Sequence, residues 1–260
     1  MSEPVETTID LDGQPMRVWT KGSGPKIGFF AGYGGLPRWI PFLDALAEHR
    51  TVIAPSLPGF PGGGRAQLNL DSHLDWIVAV RRILVSAGLE GADLVGSSVG
   101  GGLAAEVAAL WPQGVRRLAL VAPLGLYRDE EPPTDIFAQR ADEYAALLCA
   151  DPDTYRALKQ APNDVNPGEW DIEQSRAAEA AARLLWPIAN TKLDKRLPLI
   201  QQPTLIAWGE QDRVMPRSYA QFIASKISGE SRIEIIGGAG HLAELDRPQE
   251  LARVILAFTQ

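Results

Sequence analysis

Residues 93–102 read DLVGSSVGGG and place Ser98 at the centre of a Gly-x-Ser-x-Gly pattern. In this pattern the serine stands at a strained turn between a strand and a helix, and the flanking glycines let neighbouring backbone pass close by. The apolar pair Leu94-Val95 predicts the end of a buried strand, and residues 101–111 (GGLAAEVAALW) repeat apolar side chains at helical spacing. We therefore expect Ser98 to present its hydroxyl as a nucleophile, the alternative being a structural serine in a glycine-rich turn.

Length and composition are typical of one globular domain. The chain has 260 residues, of which 45% are hydrophobic and 22% are charged, enough to bury a sizeable core. A net charge of −7 and the lack of a basic stretch argue against a nucleic-acid partner. Cys149 is the single cysteine, so no intrachain disulfide can form. Since there is no signal-peptide core and no apolar run that could span a membrane, we expect a cytoplasmic protein.

Apolar strand-like runs alternate with helical runs along most of the chain, which predicts an α/β fold with a mostly parallel central sheet flanked by helices. The predicted strands are 5–11, 14–20, 27–31, 51–54, the run ending at 95, 118–122, 204–208 and 232–236. The predicted helices of this part are 39–49, 71–87, 101–111 and 248–258. Asp12-Gly13 is expected to join the first two strands, since this dipeptide favours two-residue hairpin loops.

The alternation stops between residues 124 and 193. This segment contains no strand-like run, and it carries several prolines and alanine-rich helical stretches such as 174–186 (QSRAAEAAARLLW). We interpret it as a helical cap inserted into one core domain. The expected division is a core of residues 1–123 and 194–260 and a cap of residues 124–193.

A nucleophilic serine needs a base to take its proton, and the base needs an acid to orient it. His241 follows a predicted strand in the loop GGAGH, a position from which a rigid scaffold can present a side chain. The other histidines, His49 and His73, lie in or beside helices and are interpreted as structural or solvated. Asp212 follows the run TLIAW by four residues and is preferred as the acid over its neighbour Glu210. The nucleophile, the acid and the histidine thus follow three predicted strands in that order.

Five segments resemble the α/β-hydrolase superfamily, and the resemblance extends over essentially the whole chain. They read FFAGYGG, APSLPGF, LVGSSVGG, LIAWGEQDRVMP and GGAGHLAELDRP. Within the superfamily the chain is most similar to single-cap esterases and to meta-cleavage-product hydrolases, which cleave carbon–carbon bonds. The resemblance implies that Ser98 is the nucleophile, that His241 is the general base and then the acid, and that Asp212 orients the histidine. It also implies that the cap walls a substrate pocket.

The oxyanion that forms during attack needs donors that are aimed at it in advance. The backbone N–H of Val99, directly after the nucleophile, is expected to be one donor. By the resemblance, the second donor lies in the loop 32–35 (GYGG) and is the N–H of Tyr33 or, if the loop is shifted, of Gly34. Ala31 stands where the family usually has a histidine that braces this loop, so this chain departs from the family pattern there.

Substrate-binding residues are expected around this loop and in the cap. The candidates are Gly32, Gly34, Trp39, Leu124, Trp186 and Met215, with Leu126, Tyr127, Phe137 and Trp170 as further pocket or cap contacts. Together they suit an apolar acyl or aryl group, although packing is the alternative for any single one. Arg176, Arg183 and Arg196 are candidate anchors for an anionic substrate, with a solvated helix face as the favoured alternative for each.

We expect neither a metal nor a cofactor. No group of His, Cys and Asp has metal-ligand spacing. The glycine-rich loops at 32–37 and 59–64 lack the complete nucleotide-binding patterns.

These patterns favour a serine hydrolase that cleaves carboxylic esters of small, largely apolar molecules through an acyl-enzyme. A carbon–carbon bond hydrolase or a lactonase that uses the same residues is the first alternative. A non-catalytic small-molecule receptor on the same fold is the second, although it would not need the complete set of Ser, His and Asp. The expected partner is a small-molecule ester, with no nucleic acid and no membrane, and the protein is expected to be a monomer or a homodimer.

Overall fold

The described residues (3–140, 142–163, 165–187 and 189–260) form one eight-stranded sheet in the computed structural model. The strands are β1 (Val5–Leu11), β2 (Gln14–Lys21), β3 (Lys26–Phe30), β4 (Thr51–Pro55), β5 (Ala92–Ser97), β6 (Val115–Val121), β7 (Thr204–Gly209) and β8 (Ser231–Ile236). Their order across the sheet is β1-β2-β4-β3-β5-β6-β7-β8. β1 and β2 pair antiparallel with their neighbours, and the six strands β3 to β8 run parallel to one another.

Helices cover this sheet and confirm the predicted α/β fold class with a mostly parallel sheet. They are α1 (Pro41–Ala47), α2 (His73–Ser86), α3 (Ser98–Leu110), α4 (Tyr144–Leu148), α5 (Pro152–Lys159), α6 (Pro167–Leu185), α7 (Ser218–Lys226), α8 (Ala243–Asp246) and α9 (Pro248–Phe258). Short 3-10 turns lie at Ala66–Asn69, Pro112–Gly114, Ile136–Ala138, Leu193–Lys195 and Leu197–Leu199.

The hairpin between β1 and β2 turns at Asp12 and Gly13, as the sequence predicts. Their φ angles are 53° and 79°, and two-residue hairpin turns of this kind need positive φ at both central positions. The side chain of Asp10 stabilises the turn by accepting the N–H of Gly13 at 3.1 Å.

Apolar side chains pack on both faces of the sheet because successive residues of a strand point to opposite sides. On β3, Phe30 belongs to the core that includes α2 and α3, whereas Phe29 belongs to the core that includes α1 and α9. β7 is buried along its whole length, as expected of a parallel strand with helices on both faces. The carboxyl ends of the parallel strands lie at one edge of the sheet, so the loops that follow β3, β5, β7 and β8 meet there.

The described residues of the segment 124–193 form the helices α4, α5 and α6 and no strand. The predicted helix 174–186 corresponds to the second half of α6, which begins at Pro167. It begins earlier because the side chain of Asn166 accepts the N–H groups of Gly168 and Glu169, and because proline is favoured at the first helical position.

Several helices outside this segment differ from the predictions; among them, α3 begins at Ser98, and α8 is not predicted. The predicted helix 39–49 is shorter in the structure, because α1 begins at Pro41 and ends at Ala47. His49 therefore lies in the turn that leads to β4. The sequence reasoning does not predict α7, whose short run SYAQFIASK mixes polar and apolar residues.

Candidate active site

Ser98 occupies the sharp turn at which β5 ends and α3 begins. Its φ angle is 50°, in the left-handed region that residues with a side chain rarely adopt. The surrounding backbone is so close that only glycine fits beside it. A Cβ atom at Gly96 would lie 2.5 Å from the carbonyl oxygen of Gly100, and one at Gly100 would lie 2.5 Å from that of Ala31. This crowded turn holds Ser98 at the carboxyl edge of the sheet.

Three side chains from three loops meet at this turn. The hydroxyl oxygen of Ser98 lies 2.8 Å from Nε2 of His241, and Nδ1 of His241 lies 2.9 Å from Oδ2 of Asp212. The other carboxylate oxygen of Asp212 accepts the N–H of Val214 at 2.8 Å and that of Met215 at 2.9 Å. With a proton on Nδ1, the imidazole donates to the carboxylate and accepts from the hydroxyl, which is the arrangement that activates a serine.

The alternative acid and the other histidines lie elsewhere. Glu210 is exposed and accepts the N–H of Gly238 at 2.9 Å. His49 is exposed, and His73 is hydrogen-bonded to a glutamate of α3. Of the two candidate acids, the structure therefore brings Asp212 to the histidine.

The N–H groups of both expected oxyanion donors find no hydrogen-bond acceptor in the described part of the chain, and neither does that of Gly34, the alternative donor. One belongs to Val99, in the first turn of α3, where N–H groups lack an intrahelical partner. The other belongs to Tyr33, in the loop after β3. This loop passes next to the nucleophile, since a Cβ atom at Gly32 would lie 3.1 Å from Cβ of Ser98. Both expected oxyanion donors are therefore unpaired within the described residues, and the loop of Tyr33 passes beside Ser98.

The site is sealed from solvent. Ser98 and His241 have 0% exposed surface. The ring of Tyr33, in the loop after β3, has its centroid 5.8 Å from that of Tyr144 and 6.3 Å from that of Phe137, both in the segment 124–193. Burial raises the pKa of the Tyr33 hydroxyl, and Tyr144 adds to the increase. The segment 124–193 therefore packs over the loop after β3, and we call this segment the cover.

A cavity of about 160 Å³ lies between the segment after β6 and the end of α6. Its lining is mostly apolar and includes Leu124, Tyr127, Ile136, Phe137, Leu185 and Ala189. Leu124, one of the lining residues, is adjacent to the nucleophile turn, because its N–H donates to the carbonyl oxygen of Ser98 at 3.0 Å. Asp135 is a carboxylate in the lining, and none of the described lining residues is Lys or Arg. The cavity therefore suits an uncharged, largely apolar group.

Three other expected pocket residues, Trp39, Met215 and Trp186, do not line this cavity. The indole N–H of Trp39 donates to Asp44 at 2.9 Å, so this side chain packs beside α1. Met215 is buried and holds the acid through its N–H. Trp186 is 63% exposed, and its ring centroid lies 5.8 Å from that of Phe137 at the outer end of the cover.

Lys159, the last residue of α5, is a functional candidate that the sequence reasoning misses. Its ammonium donates to the carbonyl oxygen of Gly34 and to Oε1 of Gln174, each at 2.8 Å. Burial lowers the pKa of Lys159 to about 8, against the opposing effect of Glu173. In the sequence this lysine ends the short stretch DPDTYRALK, where it cannot be distinguished from a solvated one.

Glu244 is a second candidate that the sequence reasoning misses. It lies three residues after His241 and is 2% exposed. Burial raises the pKa of Glu244 to about 7, although the neighbouring Ser97 and His241 act in the opposite direction. Its Oε2 has no hydrogen-bond partner within the described residues. A buried carboxyl that changes its ionisation near neutral pH therefore lies beside the site.

Neither a metal cluster nor a membrane span is found in the residues that the structure describes. No group of three or more His, Cys, Asp or Glu side chains there could hold a metal ion. None of the described helices is both long and apolar enough to cross a bilayer.

Several known proteins are similar to this chain. A family model described as alpha/beta hydrolase fold matches residues 28–248. The chain is 26% identical over 239 residues to monoacylglycerol lipase ABHD6 of Mus musculus, which covers 85% of this chain and 70% of that protein. It is 27% identical over 259 residues to 2-hydroxy-6-oxo-2,4-heptadienoate hydrolase of Pseudomonas putida, which covers 95% of this chain and 89% of that protein. The chain spans 65% of the length of another curated relative, a dihydrolipoyllysine-residue acetyltransferase component of the acetoin cleaving system of Cupriavidus necator.

A solved structure shares the fold over nearly the whole chain. The 2-hydroxy-6-oxo-6-phenylhexa-2,4-dienoate hydrolase from Rhodococcus sp. strain RHA1 superposes with a TM-score of 0.79 at 18% sequence identity, over 98% of both chains. At 18% identity this likeness shows a shared fold and nothing about activity.

Proposed function

The chain belongs to the alpha/beta hydrolase family, and we propose that it hydrolyses a carboxylic ester of a small, largely apolar molecule through an acyl-enzyme. The observation that carries this proposal is the hydrogen-bonded series of Ser98, His241 and Asp212, with contacts of 2.8 and 2.9 Å. The resemblance to a relative named monoacylglycerol lipase supports an ester as the substrate class.

In the first half of the reaction the oxygen of Ser98 attacks the ester carbonyl carbon while its proton passes to Nε2 of His241. The carbonyl oxygen becomes an oxyanion, which the N–H groups of Tyr33 and Val99 stabilise. Asp212 stabilises the imidazolium that forms. The tetrahedral intermediate then collapses, the bond to the alcohol breaks, and the alcohol leaves with the proton from the histidine.

In the second half a water molecule attacks the acyl-enzyme. His241 takes a proton from this water, and the same two N–H groups stabilise the second oxyanion. Collapse breaks the bond to Ser98, whose oxygen recovers the proton. The products are a carboxylic acid and the alcohol released earlier, and the enzyme returns to its starting state.

The cavity beside Leu124 supports a small neutral substrate. Its volume of about 160 Å³ is close to that of a cavity of about 150 Å³ that holds a benzene molecule. A short acyl chain or a single ring would fill it. Since its described lining lacks a cation and includes the carboxylate of Asp135, a neutral group is favoured there over an anionic one.

A carbon–carbon bond hydrolase acting on a dienoate is the second candidate, because a relative of that name matches over 95% of this chain. A dienoate carries a carboxylate, which a buried site would pair with a cation. Two of the three arginines considered for this role are engaged elsewhere. Arg196 is paired with Glu106, and Arg183 is paired with Glu179. These contacts favour the ester.

Labelling with a fluorophosphonate, mapped by mass spectrometry, tests the nucleophile. We expect stoichiometric modification of Ser98 and none in Ser98→Ala. Asp212→Ala should lower ester turnover by about 10⁴-fold. Its matched control is Glu210→Ala, which removes the exposed neighbouring acid and should leave turnover within about two-fold. A folded wild-type protein that is neither labelled nor active on esters would contradict the proposal and favour a receptor.

A substrate panel separates the two candidate reactions. It would compare p-nitrophenyl esters of increasing chain length with lactones and with a 2-hydroxy-6-oxo-dienoate. We expect kcat/KM to be highest for short neutral esters. A dienoate turned over far faster than every ester would replace ester hydrolysis by carbon–carbon cleavage.

A further inference from the structure

Helix α5 begins at the loop that carries the histidine. The N–H groups of Ala150 and Asp151, just before the helix, donate to the carboxylate of Asp246 at 2.8 and 3.1 Å. The same carboxylate accepts the N–H of Gly240, the residue before His241, at 2.7 Å. One side chain therefore fixes the start of α5 to the histidine loop.

The other end of α5 is bound to the loop that carries the second oxyanion donor. Lys159 donates to the carbonyl oxygen of Gly34 at 2.8 Å and is held by Gln174 at the same distance. Its own carbonyl oxygen accepts the indole N–H of Trp170 at 2.9 Å. The fit is tight, since a Cβ atom at Gly34 would lie 2.8 Å from Nζ of Lys159. The helix thus spans the site from one catalytic loop to another.

Few other hydrogen bonds hold the oxyanion loop (residues 31–35); directly after it, Arg17 donates to the carbonyl oxygen of Leu36, and Arg38 donates to that of Gln160. The internal hydrogen bond of the loop joins the N–H of Gly35 to the carbonyl oxygen of Gly32 at 3.0 Å. The methyl group of Ala31 offers no hydrogen bond. In the described part of the chain, Lys159 is the one side chain that hydrogen-bonds to the backbone of residues 31–35.

We propose that α5 is a strut between the histidine loop and the oxyanion loop, and that Lys159 is the positioning residue that keeps the N–H of Tyr33 in line with that of Val99. The inference rests on the proposed function and deepens it. Because α5 belongs to the cover of the site, the contact with Gly34 exists while the cover is closed. Closure over a substrate and completion of the oxyanion hole then occur together.

Amide hydrogen exchange tests the strut without relying on turnover. The variants are Lys159→Met, Lys159→Arg and the control Arg156→Met, which removes an exposed cation one turn earlier on the same helix. In Lys159→Met we expect peptides covering 31–37 to exchange at least about ten-fold faster, while peptides of α6 and β5 keep their protection. Arg156→Met should match the wild type. If Lys159→Met does not fold, Lys159→Gln takes its place.

Ester kinetics test the consequence for catalysis. A displaced oxyanion donor should lower kcat of Lys159→Met by about 10- to 100-fold and change KM by less than about three-fold. Affinity for a tetrahedral boronic acid inhibitor should fall by the same factor as kcat/KM. Lys159→Arg, which keeps a cationic donor, should retain more activity than Lys159→Met.

The two readouts separate the inference from the function on which it rests. Unchanged exchange of residues 31–37 in Lys159→Met would overturn the strut, whatever the activity. Faster exchange with an unchanged kcat would overturn the positioning role of Lys159. A wild-type protein that cleaves no ester and takes no fluorophosphonate would end the proposed function, and the exchange comparison would still decide whether the strut exists.

Discussion

Glu106 and Glu244 are two glutamates buried to almost the same depth, with 1% and 2% of their surface exposed, yet their pKa values move in opposite directions. Burial by itself raises the pKa of both carboxyls. Hydrogen bonds from His73 and Arg196 reverse this for Glu106 and lower its pKa below the ordinary value. Among the described residues no cation hydrogen-bonds to Glu244, so burial prevails and its pKa rises to about 7.

The difference shows that hydrogen-bonding partners, rather than the depth of burial, decide the charge of a buried carboxyl. Glu106 lies on α3, the helix that begins with the nucleophile, and Arg196 reaches it from the segment that leads back from the cap. That carboxylate therefore connects two parts of the fold as a permanent anion. Glu244 lies on α8, beside the histidine loop, and is neutral or charged according to pH. The following predictions test this contrast.

The largest effect is expected for Glu106→Leu. The substitution leaves the guanidinium of Arg196 and the imidazole of His73 without their acceptor in a mostly buried place. Breaking a buried pair in this way should lower the free energy of unfolding by about 3 to 5 kcal/mol. Urea unfolding of the variant and the wild type at pH 7 measures it. A loss below about 1 kcal/mol would mean that the pair contributes no more than a surface contact.

A pH-dependent effect is expected for Glu244→Gln. The pKa of Glu244 in the folded state, about 7, lies above its ordinary value of 4.5, so the folded protein binds this proton more tightly. The protonated Glu244 therefore contributes stability that is fully present below about pH 4.5. This contribution to the free energy of unfolding, up to about 3 kcal/mol, is lost as pH rises through 7. The glutamine variant should lack this loss and be the more stable protein at pH 8. Urea unfolding at pH 5 and pH 8 measures this difference. If the free energy of unfolding changes equally with pH in both proteins, the raised pKa of Glu244 is contradicted.

The smallest effect is expected for His73→Phe. The change keeps the ring and removes the contact of 3.0 Å with Oε1 of Glu106, while Arg196 still pairs with the carboxylate. One hydrogen bond should cost about 1 kcal/mol of unfolding free energy. His49→Phe, at the exposed histidine, is the control and should be neutral. A loss in His73→Phe as large as in Glu106→Leu would show that the histidine, not the arginine, keeps the carboxylate charged.

The fold class could be predicted because buried parallel strands leave apolar runs such as TLIAW in the sequence. The juxtaposition of Ser98, Asp212 and His241 could be anticipated for a related reason. Each follows a parallel strand, and the carboxyl ends of such strands meet at one edge of the sheet. Chain order together with sheet geometry therefore predicts which side chains come close.

The cap contacts could not be anticipated in this way. Lys159 and Gly34 are separated by 125 positions in the chain, and their contact depends on how α5 is oriented over the core, which no periodic pattern encodes. The hydrogen bond of Trp39 could not be anticipated from the sequence either. Its role as a substrate contact stays a prediction, and the structure adds that its indole N–H donates to the carboxylate of Asp44 on α1.

The glycines around Ser98 leave almost no room for sequence variation at the centre of the site. A methyl group at Gly96 or Gly100 would lie 2.5 Å from a backbone oxygen, and no neighbouring side chain can move aside to accommodate it. The cavity wall behaves differently, since Leu185 and Ala189 are side chains that can be exchanged for larger or smaller ones. Under the proposed function, a redesign for a new substrate would therefore keep the turn and vary the residues that line the cavity.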